Sequence, residues 1–291
     1  MKTTSKKILT VFLALLMIFA LSACGATDTD TAADSQNQEQ TDGEGVVNLG
    51  VLSYCNVEEN GLNKAVFEAN GGQEVNHVYF DSLTDMMMSL TAGKIDKAVT
   101  GEATAKYVIT NDDSFVQEET ILKATNNYGM LLMADNQELC DEISGAIQEL
   151  NDDGTLAELQ ETYIKGYIDG GEPKVEEIAS IGDAETITVA VTGDLPPMDF
   201  VNENGEPAGF NVALLAAIAE KLGINIDLIN VTAGSRAMAL TSGKADVIFW
   251  TLSQEIQGDD ADNPFLNADT PENTVKTLPY FSESDAALVL K

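Results

Sequence analysis

Few side chains in this sequence suit covalent or redox chemistry, and those few are scattered. His77 is the single histidine, which argues against a histidine-based metal site. Three cysteines occur, Cys24, Cys55 and Cys140. Cys140 falls in a helical pattern and Cys55 beside a strand, with nothing to bring them together. Two buried thiols are therefore expected rather than a disulfide. Met86, Met87 and Met88 run together, but consecutive residues cannot share a helix face, so they read as core filler and not as a metal or redox site. Glu102 would serve as a general acid or base if buried. No nucleophile–base pair, phosphate-cradling glycine loop or metal-ligand cluster accompanies it. Neither a cofactor nor a metal is expected, and an enzyme is the least favoured class. The chemistry left is reversible binding. Charge narrows the partner: 48 acidic against 15 basic residues give a net charge of −33, which repels phosphate backbones and excludes nucleic acid. A charge of this size also favours a soluble monomer.

The chain start points to a compartment. Lys2, Lys6 and Lys7 precede the apolar run Ile8–Leu21, too short to span a bilayer comfortably and closed by small residues. This reads as an export signal over residues 1–23. Leu21-Ser22-Ala23-Cys24 resembles the lipobox of bacterial lipoproteins. The resemblance implies cleavage before Cys24, a diacylglycerol on its sulfur, and a protein held at the outer face of the cell membrane by that lipid. Residues 24–45 have almost no large apolar side chains and read as a disordered tether.

From Val46 onward, strand and helix patterns alternate. Strands are expected at "VVNLGVLSY", "VNHVYF", "KIDKAVT" and "YGMLLMA". Helices are expected at "EENGLNKAVFEAN", "SLTDMMMSLTAG" with Ser82 as N-cap, "ATAKYVITN", and as a pair around Asp153-Gly154. Residues 166–185 are Gly-rich and acidic and read as a linker. The pattern then restarts with strands "TITVAVT", "INIDLIN", "ADVIFWTLS" and "DAALVLK". Its helices are "NVALLAAIAEKLG", with Asn211 as possible N-cap, and "GSRAMALTSG". Alternation in both halves means parallel βαβ units and an α/β sheet. Leu90-Thr-Ala-Gly-Lys-Ile-Asp96 returns as Leu240-Thr-Ser-Gly-Lys-Ala-Asp246. In each copy Leu-Thr ends a helix, Gly makes the left-handed turn and Asp leads into a strand. The repeat thus marks two lobes built alike, and such sheets bind ligands beyond the carboxyl ends of their strands.

"ITVAVTGDLPPMDFVNENGEPAGFNVALLAAIAEKLGINIDLINV", "ALTSGKADVIFWTLS" and "LPYFSES" resemble the first lobe of bacterial family 3 solute-binding proteins, the extracytoplasmic receptors of polar amino acid ABC importers. "FDSLTDMMMSLTAGKID", "YGMLLMA" and "IQELNDDGTLAELQETYI" resemble that family's second lobe and C-terminal helices. The resemblance implies a type II periplasmic-binding-protein-like fold, two βαβ lobes around a cleft. It assigns residues 46–165 to the second lobe with its C-terminal helices, and residues 186–291 to the first lobe. The family runs in the opposite order. A circular permutation, with residues 166–185 joining the old termini, and an incomplete tandem array both account for this.

The family holds an amino acid by an Arg after the third strand of its first lobe and an Asp at the matching place in its second. Here Gly258 and Gly101 stand at those positions, with Glu102 beside the latter. Arg236 lies on the preceding helix and is not expected to substitute. Leu195 stands where an aromatic would cover the ligand. Thr251 and Ser253 match positions that bind a ligand carboxylate, and Asn56 matches a second-lobe hydroxyl position. Trp250 replaces a small residue and would narrow the pocket or stack on a ring. Phe200 and Met198 are further lining candidates. The resemblance implies a lipid-anchored receptor handing a small solute, an amino acid or related compound, to an ABC permease. The lost clamp equally suits a sensor or surface interaction protein with a decayed ligand site. A dehydratase-like enzyme on the same fold is the remote alternative.

Overall fold

A computed structural model describes residues 45–53, 64, 66, 70–121, 125–171, 174–252 and 270–291. The export segment with Cys24, the tether, Cys55, Asn56, Ser253 and Gly258 lie outside the described residues. So does most of the first expected helix, of which Lys64 and Val66 are helical.

One lobe carries β1 (Val47–Leu52), β2 (Val75–Phe80), α1 (Leu83–Thr91), β3 (Lys97–Gly101), α2 (Glu102–Asn111) and β4 (Phe115–Glu118). Strands β2 and β3 both lie parallel to β1. The other lobe carries β6 (Thr186–Val191), α5 (Phe210–Leu222), β10 (Asn225–Asn230), α6 (Arg236–Thr241) and β11 (Val247–Leu252). There β10 and β11 both lie parallel to β6. Two long strands pass between the lobes. β5 (Thr125–Met133) pairs with β13 (Phe281–Leu290) through Thr125–Tyr128, then with β11 and with β12 (Thr274–Lys276). β13 pairs with β5 through Phe281–Ser284, then with β3 and β4 through Asp285–Leu290. The sheet order is β10-β6-β11-β5-β13-β3-β1-β2. This is the expected α/β fold of the type II periplasmic-binding-protein-like kind, two βαβ lobes around a cleft.

Local chemistry explains most boundaries. Ser82 accepts a hydrogen bond from the Asp85 N–H and caps α1 as expected. Gly154, at φ 87°, turns α3 (Gln137–Asp152) into α4 (Thr155–Gln160). That second helix continues through a widened turn at Glu161–Lys165 to Ile168, so the linker begins later than its composition implies. Tyr167 Oη donates to the Lys174 carbonyl at 2.6 Å and Tyr163 Oη bonds the Glu176 carboxylate, so residues 174–176 lie against the helix. α5 is apolar almost all round because it is covered on both sides, by the short strands Asp199–Val201 and Pro207–Ala208 with β10, and by α3 and α4. Asn211 is not its N-cap. Helix α5 starts one residue earlier, after Gly209, and the buried Asn211 side chain donates to Asp199 at 2.7 Å instead. Of the three methionines, Met86 is fully buried, whereas Met88 is 65% exposed and does not fill the core. Cys140 is a buried free thiol. Among the described residues no helix is long and apolar enough to cross a membrane.

Candidate functional site

The carboxyl ends of β1, β3 and β6 meet across the cleft. Between them lies a small cavity of about 30 Å³, lined by Leu52, Thr100 and Gly101 from one lobe, Tyr128 from β5, and Thr192, Leu195, Ala233 and Arg236 from the other. That volume suits about one water molecule, so a larger solute requires the lobes to part.

Arg236 is the cavity's cation. It begins α6, just after the turn Ala233–Ser235, and is 2% exposed. Its Nε donates to the Ala233 carbonyl at 3.2 Å and one terminal nitrogen to the Phe249 carbonyl at 2.9 Å. A buried guanidinium is costly unless it is hydrogen-bonded, and these carbonyls fix the fork in place. Arg236 lies on the helix that precedes β11, as its sequence position implies, but as the first residue of that helix, at the end that faces the cleft, it reaches the cavity.

Thr192 is positioned by a second buried charged group. Asp199, 0% exposed, accepts from the Thr192 N–H at 2.8 Å, the Thr192 hydroxyl at 2.6 Å, the Gly193 N–H at 2.9 Å and the Asn211 side chain. Those bonds lock the turn after β6, which leads into a three-stranded sheet of β7 (Asp194–Leu195), β8 (Asp199–Val201) and β9 (Pro207–Ala208). Gly209, at φ 111°, passes so close to the Met198 carbonyl that a Cβ would lie 2.8 Å from its carbon.

The lobes touch at the cleft mouth. The Ala233 N–H donates to the Asp81 carbonyl at 3.0 Å. Asp194 Oδ2 accepts from the Leu83 N–H at 3.0 Å and so sits on the N-terminus of α1 in the opposite lobe, where a negative charge is favoured. Burial raises the Asp194 carboxyl above the usual carboxylate range, and the backbone N–H groups of Thr84 and Leu83 oppose that rise. Gly234 lets the backbones approach: a Cβ there would lie 2.6 Å from Asp81 Oδ1.

The residues singled out from sequence are dispersed. Leu195 lines the cavity, as does Gly101. Thr251 is fully buried, and its hydroxyl has no hydrogen-bond partner. Trp250 lies on β11, and its side chain is outside the described residues. Phe200 is buried against Tyr107 and Tyr167, with ring centroids 6.3 and 5.9 Å away, and Met198 is fully buried. Glu102 pairs with Lys106 at 2.7 Å and lines a separate, open groove with Glu118, Glu119 and Asp285. Sequence reasoning missed Arg236, Tyr128 and Thr192. The repeat held a signal for the first: Arg236 stands where the other copy has Met86, and a charged residue at a core position of a repeat invites a functional reading.

Comparison with known proteins bears on the lobe that carries Arg236. Residues 187–256 match the bacterial extracellular solute-binding proteins, family 3. No curated protein matches the chain. Among solved structures, the chain is similar to the ligand-binding component of an ABC-type import system from Staphylococcus aureus with zinc bound. There the identity is 9%, the TM-score 0.44, and the match covers 85% of this chain and 66% of that one. It is also similar to the periplasmic aliphatic sulphonate binding protein SsuA from Escherichia coli, at 10% identity, TM-score 0.37 and 85% and 66% coverage. A third likeness is to the GluR0 ligand-binding core in complex with L-glutamate, at 11% identity, TM-score 0.38 and 84% and 85% coverage. The chain spans just under two thirds of the length of the first two. At these identities the neighbours name no ligand for this chain.

Proposed function

We propose that this chain is an extracytoplasmic solute-binding protein, anchored through a lipid on Cys24, that closes its two lobes on a small solute and hands it to an ABC permease. The observation that carries this reading is the buried Arg236 guanidinium lining the interlobe cavity. With Gly258 at the family's Arg position, Arg236 supplies the positive charge from the neighbouring helix. A guanidinium in a closed, dry cleft selects for an anionic group through charge-assisted hydrogen bonds. The solute is therefore a small organic acid, with amino acids inside that class. Leu195, Thr192 and Tyr128 shape the rest of the pocket, and Trp250, Thr251, Ser253 and Asn56 are further candidates.

Calorimetric titration of the full chain in detergent tests the reading. Propionate, glutarate and L-glutamate are the anionic probes, and propionamide and glutaramide the neutral controls. Saturable binding of an acid without its amide is expected, lost in Arg236→Gln. A flat response from folded protein to every acid favours the sensor reading, in which a protein partner replaces the solute. The small cavity is what favours that alternative.

We also propose that the lobe order is a circular permutation. It is supported by the pairing of β5 and β13, which lets one chain contribute both crossover strands. A rearranged gene placing residues 186–291 before 46–165 should give a protein with the same melting temperature and probe affinity. Failure of that protein to fold points to the tandem array.

A further inference from the structure

Crossover strand β13 buries a carboxyl group that the reading above leaves unused. Glu283 is 8% exposed. Its Oε2 accepts from the Ala103 N–H at 2.8 Å, in the first turn of α2. That helix has no side-chain cap, because its N-cap is Gly101. The other oxygen, Oε1, is buried with no hydrogen-bond partner. An unpaired buried oxygen costs roughly as much as a lost hydrogen bond, so its position calls for an explanation.

Gly101 supplies one. A Cβ built on it would fall on Glu283 Oε1 and lie 2.6 Å from Cδ. The Glu283 carboxyl therefore occupies the space where a side chain at residue 101 would begin. Gly101 also lines the cleft cavity with Thr100, Tyr128 and Arg236. So β3 offers no carboxylate at residue 101, while β13 brings the Glu283 carboxyl to within 2.0 Å of where that Cβ would lie, directly behind a residue that lines the cavity.

We propose that Glu283 is the acidic group that receives a ligand's ammonium group, supplied from the crossover strand in place of a side chain on residue 101. This rests on the solute-binding reading, and it narrows the solute to a small zwitterion with its anion on Arg236 and its ammonium on Glu283. Burial pushes the Glu283 carboxyl up to about 8. The Ala103 N–H opposes the rise, Asp285 and Glu102 add to it, and Lys106 opposes it. Asp285, itself raised to about 6 by burial and bonded by Asn126, is the neighbouring acid on the same strand. At neutral pH Glu283 therefore carries a proton. Taking up an ammonium group converts the carboxyl to carboxylate and sends that proton to solvent. Zwitterion binding then releases close to one proton at pH 7 and almost none near pH 9, and at higher pH it takes up protons as the free ligand's own amine loses its charge.

The test pairs amino acids with the same acids lacking the amine: L-alanine with propionate, L-serine with 3-hydroxypropionate, L-glutamate with glutarate. The full chain in detergent is titrated by calorimetry in buffers of different ionisation enthalpy. At least one amino acid should bind about tenfold or more tighter than its deaminated partner, the scale of one charge-assisted hydrogen bond. Proton release should accompany the amine-bearing member alone. Glu283→Gln should erase both the preference and the proton release, while Arg236→Gln weakens both members of the pair. Gly101→Asp combined with Glu283→Ala should restore the preference that Glu283→Ala alone removes, which separates a lost contact from a lost fold. Binding of acids with no preference for the amine, or a preference that survives Glu283→Gln, overturns this inference and leaves the solute-binding reading standing. Silence from all six probes overturns both.

Discussion

The two lobes repeat one corner almost bond for bond. Gly93 and Gly243, at φ 66° and 70°, each donate to the Leu of the motif. Lys94 and Lys244 each donate back into the helix that ends there, to Ser89 and Ala239. Each Asp clips its corner to the neighbouring parallel strand by a reciprocal pair. Asp96 accepts from the Asn48 N–H at 2.7 Å and donates its own N–H back at 2.9 Å. Asp246 does the same with Thr188, at 2.8 Å in both directions. One turn back along the helix the copies part. The first has Met86 at 0% exposure, the second Arg236 at 2%. One scaffold thus holds an apolar core residue in one lobe and the cleft's cation in the other. The shared motif builds the lobes, and the copies part where one of them places a cation beside the cleft cavity.

Exchanging the two residues tests that statement most sharply. Met86→Arg places a charge where no carbonyl pair awaits it, and should cost ~3–5 kcal/mol or prevent folding. Arg236→Met takes its donors from the Ala233 and Phe249 carbonyls, so it should lower the melting temperature, by less than Met86→Arg does, and abolish binding of acids. Thermal melts and titration of both variants decide it. If Met86→Arg is as stable as wild type, the corners are not distinguished by packing.

The next largest effect follows from Glu283, which the other lobe does not match. Unfolded, its carboxyl loses the proton near 4.5; folded, near 8. Between those values the folded state holds the extra proton, so wild-type stability falls as pH rises through that window. Glu283→Gln carries no such penalty. It should match wild type near pH 5 and exceed it at pH 8.5 by a few kcal/mol, at roughly 1.4 kcal/mol per pKa unit. Denaturant melts at the two pH values measure this, and an equal gap at both contradicts it.

The Asp clips should differ by burial. Asp246 is half-buried and Asp96 exposed. Asp246→Ala should cost about 1–2 kcal/mol and Asp96→Ala less, in denaturant melts. Equal costs would mean that exposure does not set the strength of the clip. Asp194→Asn should be mildest, below about 1 kcal/mol. By removing the charge on the N-terminus of α1 it should loosen the lobe contact, seen as a larger radius of gyration by small-angle scattering. No change would assign closure to the backbone contact of Ala233 with Asp81.

The repeat made the paired lobes legible, because a left-handed glycine after a helix and an Asp before a strand leave a fixed spelling. The short strands β4, β7, β8, β9 and β12 were not legible: two to four residues give no period to read. The length of β5 and β13 escaped too, since a strand that serves two half-sheets in turn changes its buried face midway. Asn211 shows how a residue type favoured at caps is recruited elsewhere when a buried carboxylate needs a donor. The nearness of Arg236 to the cleft was not legible, because it depends on which end of the helix faces the cavity and not on position along the chain. Glu283 could not be found by matching Gly101 to a family position, because the carboxyl arrives from another strand and only space relates them.

The pairing order also sets a schedule. β13, the last of the described strands, lies in the interior of the sheet, between β5 and β3, and holds β4 as well. Neither half-sheet is complete until residues 281–290 are available, however early the other strands are made. Contacts that join residue 101 to residue 285 are slow to form, and nothing local substitutes for them. A chain built this way keeps both half-sheets open at one edge until the β13 segment has been made, whatever the state of the other strands.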